Sequence, residues 1–136
     1  MSAEAMPSRT VGYSAIRDQV YMIFPNDLNY VDTVFGGLIL SQMDRLCAVA
    51  ANRHAGGACV TVGLDAVQFL LPARRGDVLF FHASVIRAWN TSMEIGCRVE
   101  AAAYDGLDKR HILSAYFTFI GVDDRGRPRP DRKSVV

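Results

Sequence analysis

The sequence predicts an α+β protein in which a five-stranded antiparallel sheet wraps around one long helix. Three observations carry this. A glycine turn at Phe35-Gly36-Gly37 opens a mostly apolar stretch that runs to about His54 and stops at Gly56-Gly57. Strand-like segments rich in Val, Thr and Phe follow it in series, separated by short turns. One more such segment precedes it. Strands joined by short turns favour antiparallel pairing. A single apolar helix of about 18 residues must be covered, because helices of that length draw their stability from packing. A curved sheet around the helix meets both demands.

Taken in order, residues 1–10 read as a loose terminus and Tyr13–Phe24 as the first strand. Pro25-Asn26-Asp27-Leu28-Asn29 is turn chemistry. The helix from about Gly37 to His54 places Ile39, Met43, Leu46, Cys47 and Ala50 on one stripe. Gln42, Arg45, Asn52 and Arg53 fall on the far side. Glycine past a helix end is a common stop signal. Cys59–Leu71 is the next strand, ended by Pro72 and the turn Arg74-Arg75-Gly76-Asp77. Val78–Trp89 follows, then the turn Asn90-Thr91-Ser92. Met93, Ile95, Cys97 and Val99 alternate with Glu94, Arg98 and Glu100, which predicts one buried and one solvated face. Tyr104–Asp108 connects to a last strand, His111–Val122. The segment from Asp123 onward is basic and proline-containing and reads as a solvated end.

The length of 136 residues fits one domain spanning residues 1–136, and 50% hydrophobic residues supply a core. A net charge of +1 gives no electrostatic case for nucleic acid or an anionic membrane. No apolar run is long enough to span a bilayer, and no secretory leader opens the chain. Cys47, Cys59 and Cys97 are odd in number, far apart and in hydrophobic segments. Buried reduced thiols in a cytoplasmic protein are the expectation. Phe80, Phe81 and Trp89 are apolar residues that would need cover from a second copy.

Several chemistries are excluded. There is no Gly-x-Ser-x-Gly elbow, no phosphate-binding glycine-lysine loop and no dinucleotide fingerprint. His54, His82 and His111 have no metal-ligand spacing with one another or with cysteine, so no metal is expected. His82 reads as a packed or edge strand residue, His111 as exposed. His54 sits at the helix end, where the dipole favours it. What remains is Asn29, the glycine turn and Asp44. The glycines let the backbone approach a ligand, and the first helix amides lack intrahelical partners and can donate to an oxygen. Asp44 lies at the border of the apolar stripe, next to Gly37, Leu40, Ala48 and Ala51 on the wheel. A carboxylate there is costly unless used or paired. Oxyanion donors and an acid on one element suggest acyl transfer. The alternative is a boundary Asp that pairs with a nearby Arg or caps a backbone.

The motifs Pro25-Asn26-Asp27-Leu28-Asn29, Thr33-Val34-Phe35-Gly36-Gly37 and Ser41-Gln42-Met43-Asp44 resemble the hotdog-fold acyl-CoA thioesterases. The subgroup is that of bacterial broad-specificity acyl-CoA hydrolases and the brain acyl-CoA hydrolase. The resemblance continues through Arg53-His54-Ala55, Val60-Thr61-Val62, Gly76-Asp77-Val78, Thr91-Ser92-Met93 and Phe117-Thr118-Phe119, and covers roughly residues 15–130. It implies the hotdog fold, homodimers joined sheet edge to sheet edge and often assembled as trimers of dimers, and active sites between subunits. It assigns the catalytic acid to Asp44, the carbonyl-polarising amides to Gly36 and Gly37, and a positioning role to Asn29. Asp44 would serve as general base on water or as nucleophile. Thr61 and Ser92 are candidates for pantetheine contact, and Arg74 and Arg75 for the CoA phosphates. No cofactor is implied.

The chain departs from the family at three places. Asp32 stands where glycine is usual, and could raise the pKa of Asp44 or repel phosphates. Leu71 replaces a basic residue, and Trp89-Asn90 replaces Gly-Arg. A non-catalytic acyl-CoA-binding protein of this fold is one alternative. A dehydratase or hydratase is another, weakened because the helix has no His before His54.

Overall fold

The computed structural model describes residues 11–129. A short helix α1 (Val11–Ser14) leads into strand β1 (Ile16–Met22) and a 3-10 turn at Pro25–Asp27. The long helix α2 (Gly36–Ala55) comes next, then β2 (Cys59–Phe69), β3 (Val78–Ala88), β4 (Ser92–Ala102) and β5 (Arg110–Gly121). The five strands form one antiparallel sheet in the order β1-β3-β4-β5-β2. This is the expected class, one sheet covering one long helix.

The helix buries its predicted stripe. Ile39, Met43, Cys47 and Ala50 are buried and Leu46 is half-buried against them. Opposite them lie the inward residues of the sheet, including Leu79, Phe81, Met93, Ile95, Val99, Phe117 and Phe119. The alternation in β4 holds, with Met93, Ile95, Cys97 and Val99 all buried. Gly56 ends α2 in the left-handed region (φ 75°), where glycine has no Cβ to clash, and its N–H donates to the Asn52 carbonyl at 2.9 Å. Cys47 and Cys97 are buried and unbridged. A hydrogen bond with the Cys97 thiol, and then burial, hold the Cys47 thiol far above its ordinary pKa, so it is not a reactive thiolate.

Several expectations are corrected. Tyr13 lies in α1, not in the first strand, and β1 begins only at Ile16. The α1 turn packs on α2 and β3, a tertiary contact that overrides strand propensity. Consecutive strands are not all neighbours: β2 pairs with β5 at one edge, while β3 lies between β1 and β4. A turn signal marks a reversal of the chain, not the strand it will meet. His54 lies in the last turn of α2 as expected, and it is also fully buried, continuing the Cys47–Ala50 stripe one turn further. Phe80 and Phe81 need no second copy, at 8% and 1% exposure, although Trp89 stays 46% exposed. Part of the end is not free either. The Arg129 N–H donates to the Gly121 carbonyl at 2.9 Å and its guanidinium to the Val122 and Ala58 carbonyls at 3.0 and 3.2 Å. The remaining terminal residues of both ends lie outside the described part.

Candidate active site

The loop before α2 is built by its own polar side chains. The Asp27 carboxylate is buried and accepts the Tyr21 hydroxyl at 3.0 Å and the Phe24 N–H at 2.8 Å. Burial, then the bond to and charge of Asp27, raise the Tyr21 pKa, so its hydroxyl stays protonated and donating. The Asp27 carbonyl in turn accepts the Phe35 N–H at 3.0 Å. Phe35 caps the helix, and Leu38 and Ile39 donate back to its carbonyl. The amides of Gly36 and Gly37 make no backbone hydrogen bond among the described residues. These are the orphan donors expected of a helix start.

The two glycines differ in surroundings. A Cβ on Gly36 would come within 2.6 Å of the Phe69 ring, while one on Gly37 would meet nothing within 4 Å. Phe69 therefore covers one side of the turn, and Gly37 faces open space. Asn29 is largely engaged inside the loop, with one Nδ2 hydrogen left over. Its Oδ1 accepts the Val31 and Thr33 N–H groups at 3.0 and 3.1 Å, and its Nδ2 donates to Thr33 Oγ1 at 2.8 Å. It shapes the glycine turn from below.

Asp44 is half-buried and Thr61 Oγ1 donates to its Oδ1 at 2.6 Å. It makes no ion pair among the described residues. The reading of a boundary Asp paired with Arg is thereby set aside. The Thr61 hydroxyl, a candidate for pantetheine contact, holds the carboxylate here, and Oδ2 accepts no hydrogen bond among the described residues. Seven residues separate Gly37 from Asp44, which is about 10 Å of helix rise on nearly the same face. Within one chain these two groups cannot touch the same carbonyl.

The predicted residues thus form two half-sites. Gly36, Gly37, Asn29, Arg74 and Arg75 lie together, because Thr33 bridges Arg74 and the Val34 N–H donates to the Ala73 carbonyl at 2.8 Å. Asp44 and Thr61 lie toward the other end. Ser92 starts β4 there, in the row Met93–Phe119–Thr61, whereas the far end of β4 pairs Ala102 with Val78 just beyond the arginine turn. Within one chain Ser92 and the arginines are therefore about 30 Å apart by strand rise. Asp32 adopts φ 60°, a conformation that Asp tolerates and glycine prefers, and its Oδ1 pairs with Arg75 Nη2 at 3.2 Å.

One grouping escaped the sequence. Asp18, His82 and Glu100 offer ligand atoms that all lie within 4.8 Å of one another. They come from three strands and share no sequence spacing. The group is largely internally paired: His82 Nε2 is 2.8 Å from Glu100, and Lys109 Nζ is 3.0 Å from Asp18. The Lys109 bond is the main reason the Asp18 pKa is lowered. An ion here would have to displace Lys109. We therefore expect activity to survive dialysis against a chelator unchanged; loss restored by a divalent ion would overturn this.

A model of the thioesterase superfamily matches residues 32–103, which contain both glycines, Asp44, Thr61 and both arginines. The acyl-CoA thioester hydrolase YciA of Salmonella typhimurium is 34% identical over 112 residues, covering 80% of this chain and 84% of that protein. Protein VdlD of Helicobacter pylori is 32% identical over 110 residues; the match covers 81% of this chain but only 63% of that protein's length. Among solved structures, the acyl-CoA hydrolase of Staphylococcus aureus, in complex with butyryl-CoA, CoA and CoA disulfide, superposes with TM-score 0.88 at 30% identity, covering 95% of this chain and 78% of that one. Variants of that enzyme with a Thr, an Asp or an Asn replaced by Ala have also been solved. An apo-hexameric acyl-CoA thioesterase superposes with TM-score 0.89 at 31% identity, covering 96% and 83%.

Proposed function

This chain belongs to the thioesterase superfamily, and from that premise we propose that it hydrolyses acyl-CoA thioesters to a free acid and CoA. The observation that carries the proposal is Asp44 held at 2.6 Å by Thr61 on the same helix face as the open Gly37 amide. The three residues substituted in the S. aureus enzyme are separated by 15 and 17 positions. Asn29, Asp44 and Thr61 have the same types and separations here.

The active site takes one half from each of two chains. β2 is an edge strand of eleven residues whose Val60, Val62, Leu64 and Phe69 are exposed. The opposite edge, β1, is shorter, bulged between Ile16 and Gln19 and carries the charged Asp18, features that discourage pairing. An antiparallel pairing of two β2 edges about a two-fold axis sets the Thr61 end of one against the Phe69 end of the other. That brings Asp44 of each chain toward the Gly37 turn of its partner and reunites Ser92 with the arginine end. The chain forms a homodimer on this reading, with a trimer of dimers as the larger assembly, in keeping with the hexameric neighbour.

The thioester carbonyl accepts from the Gly37 amide, with Gly36 beside it, where the helix N-terminus favours developing negative charge. Asp44 activates water as general base or attacks as nucleophile, and Thr61 fixes its orientation. The acyl chain lies against apolar side chains of α2 and of the interface, which leaves the apolar cavity of about 390 Å³ beside Gly36, lined by Val34, Ile39, Phe69, Leu70 and Ile112, to the carrier arm. A protein that merely bound acyl-CoA would have no use for the Asp44 carboxylate. The test is thiol release from acyl-CoA substrates of graded chain length. Turnover above the uncatalysed rate is expected, and no release at any length would overturn the proposal.

A further inference from the structure

The apolar cavity beside Gly36 has Leu71 and Pro72 in its wall. Those two residues also line a second cavity of about 460 Å³, whose other walls are Arg74, Arg75, Asp77 and Arg110. The apolar cavity at the carbonyl-polarising turn and a chamber with three guanidinium groups thus adjoin each other at Leu71 and Pro72. Arg110 begins β5, far in sequence from the arginine turn, and no spacing in the chain links the two.

The three arginines are not equivalent. Arg75 is taken up by Asp32 at 3.2 Å, with both side chains largely exposed. Arg110 Nη2 donates to Asp77 Oδ2 at 2.6 Å, and the same oxygen accepts the Arg74 N–H at 2.9 Å. Asp77 is well buried, with a side chain 13% exposed. It fixes the Arg110 guanidinium while occupying only part of its donor fork. Arg74 makes no ion pair among the described residues. Three guanidinium groups against two carboxylates leave the chamber one charge positive, with the excess at Arg74 and the unused donors of Arg110 beside it.

We propose that Arg74 and Arg110 together bind the phosphorylated nucleotide end of the thioester's carrier, with Asp77 as the residue that positions Arg110. Arg75 braces the loop through Asp32 and is not a phosphate ligand. This rests on the acyl-CoA reading and deepens it, because it makes the nucleotide a recognised part of the substrate. A guanidinium fork suits phosphate oxygens, and charge-assisted hydrogen bonds are the strong ones. An uncharged lining next to the thioester carbonyl and a basic one beyond it match a carrier arm that is uncharged near the thioester and anionic at its far end.

The test compares KM for an acyl-CoA with KM for the same acyl group on pantetheine, which lacks the nucleotide. Arg74→Ala and Arg110→Ala should each raise the ratio of the two KM values about tenfold or more, the signature of lost uniform binding. Arg75→Ala should change both KM values alike. Arg110→Lys keeps a cation on Asp77 but loses the fork; it should give an intermediate ratio, and it decides the matter if Arg110→Ala does not fold. Calorimetry with adenosine 3′,5′-bisphosphate gives a readout free of turnover: binding to the wild type should weaken in the Arg74 and Arg110 variants. A ratio within about twofold of wild type in Arg74→Ala and Arg110→Lys, with unaltered bisphosphate binding, would overturn the proposal. Failure of the wild type to hydrolyse any acyl-CoA would overturn the underlying reading, and the calorimetry would still stand.

Discussion

Replacing Asp44 with alanine should lower turnover on acyl-CoA by at least about a hundredfold while the protein stays folded. Asp44 is the carboxylate that α2 sets at the border of its buried stripe, and its partner there is a hydroxyl, not a cation. Thr61 is exposed, so its hydroxyl turns to water when the carboxylate goes. The stability cost is that of one exposed hydrogen bond, no more than about 1 kcal/mol. Steady-state kinetics with thiol detection, set beside a thermal melt, separates the two effects. Near wild-type turnover in a folded Asp44→Ala protein would remove Asp44 from the chemistry, and the mechanism with it.

The second large effect is expected from the β2 edge. A Val62→Lys, Leu64→Lys double variant should sediment as a monomer and lose activity by at least about a hundredfold, the scale set by a missing general base. Lysines on a strand edge oppose pairing with another edge, and both positions are exposed in the single chain, so the fold itself is spared. Activity should fall because Gly37 and Asp44 of one chain lie about 10 Å apart along one helix and cannot meet on one carbonyl. Light scattering on the wild type should give a dimer or hexamer. A monodisperse monomer with full activity, in either protein, would exclude a site shared between chains.

The sequence carried the local structure because local structure is a matter of periodicity and backbone freedom. The buried stripe of α2, the alternation of β4 and the left-handed stop at Gly56 were all legible before any tertiary contact. Each depends on residues within a few positions of one another, where side-chain spacing and sterics act directly. The Asp44 carboxylate and the glycine turn were legible for the same reason, since both lie on one helix.

Tertiary structure decided everything that depends on which segments meet. No local signal sends β2 to the far edge beside β5, buries Phe80, or sinks His54 under the sheet. The same holds for the Asp44–Thr61 bond, the Asp32–Arg75 pair, the Asp18–His82–Glu100 group and the Arg74–Arg110 chamber. Asn29 is read from the sequence as a positioning residue, and only the fold shows that three of its four hydrogen-bonding capacities go to Val31 and Thr33 of its own loop. Arg74 and Arg75 looked remote from the glycine turn, yet backbone bonds tie them to it. In each case the partners are far apart in sequence, and the free energy of burying apolar surface around α2, not any local preference, selects the pairing. A one-dimensional pattern can say that a residue will be buried or polar, and only the folded chain says beside what.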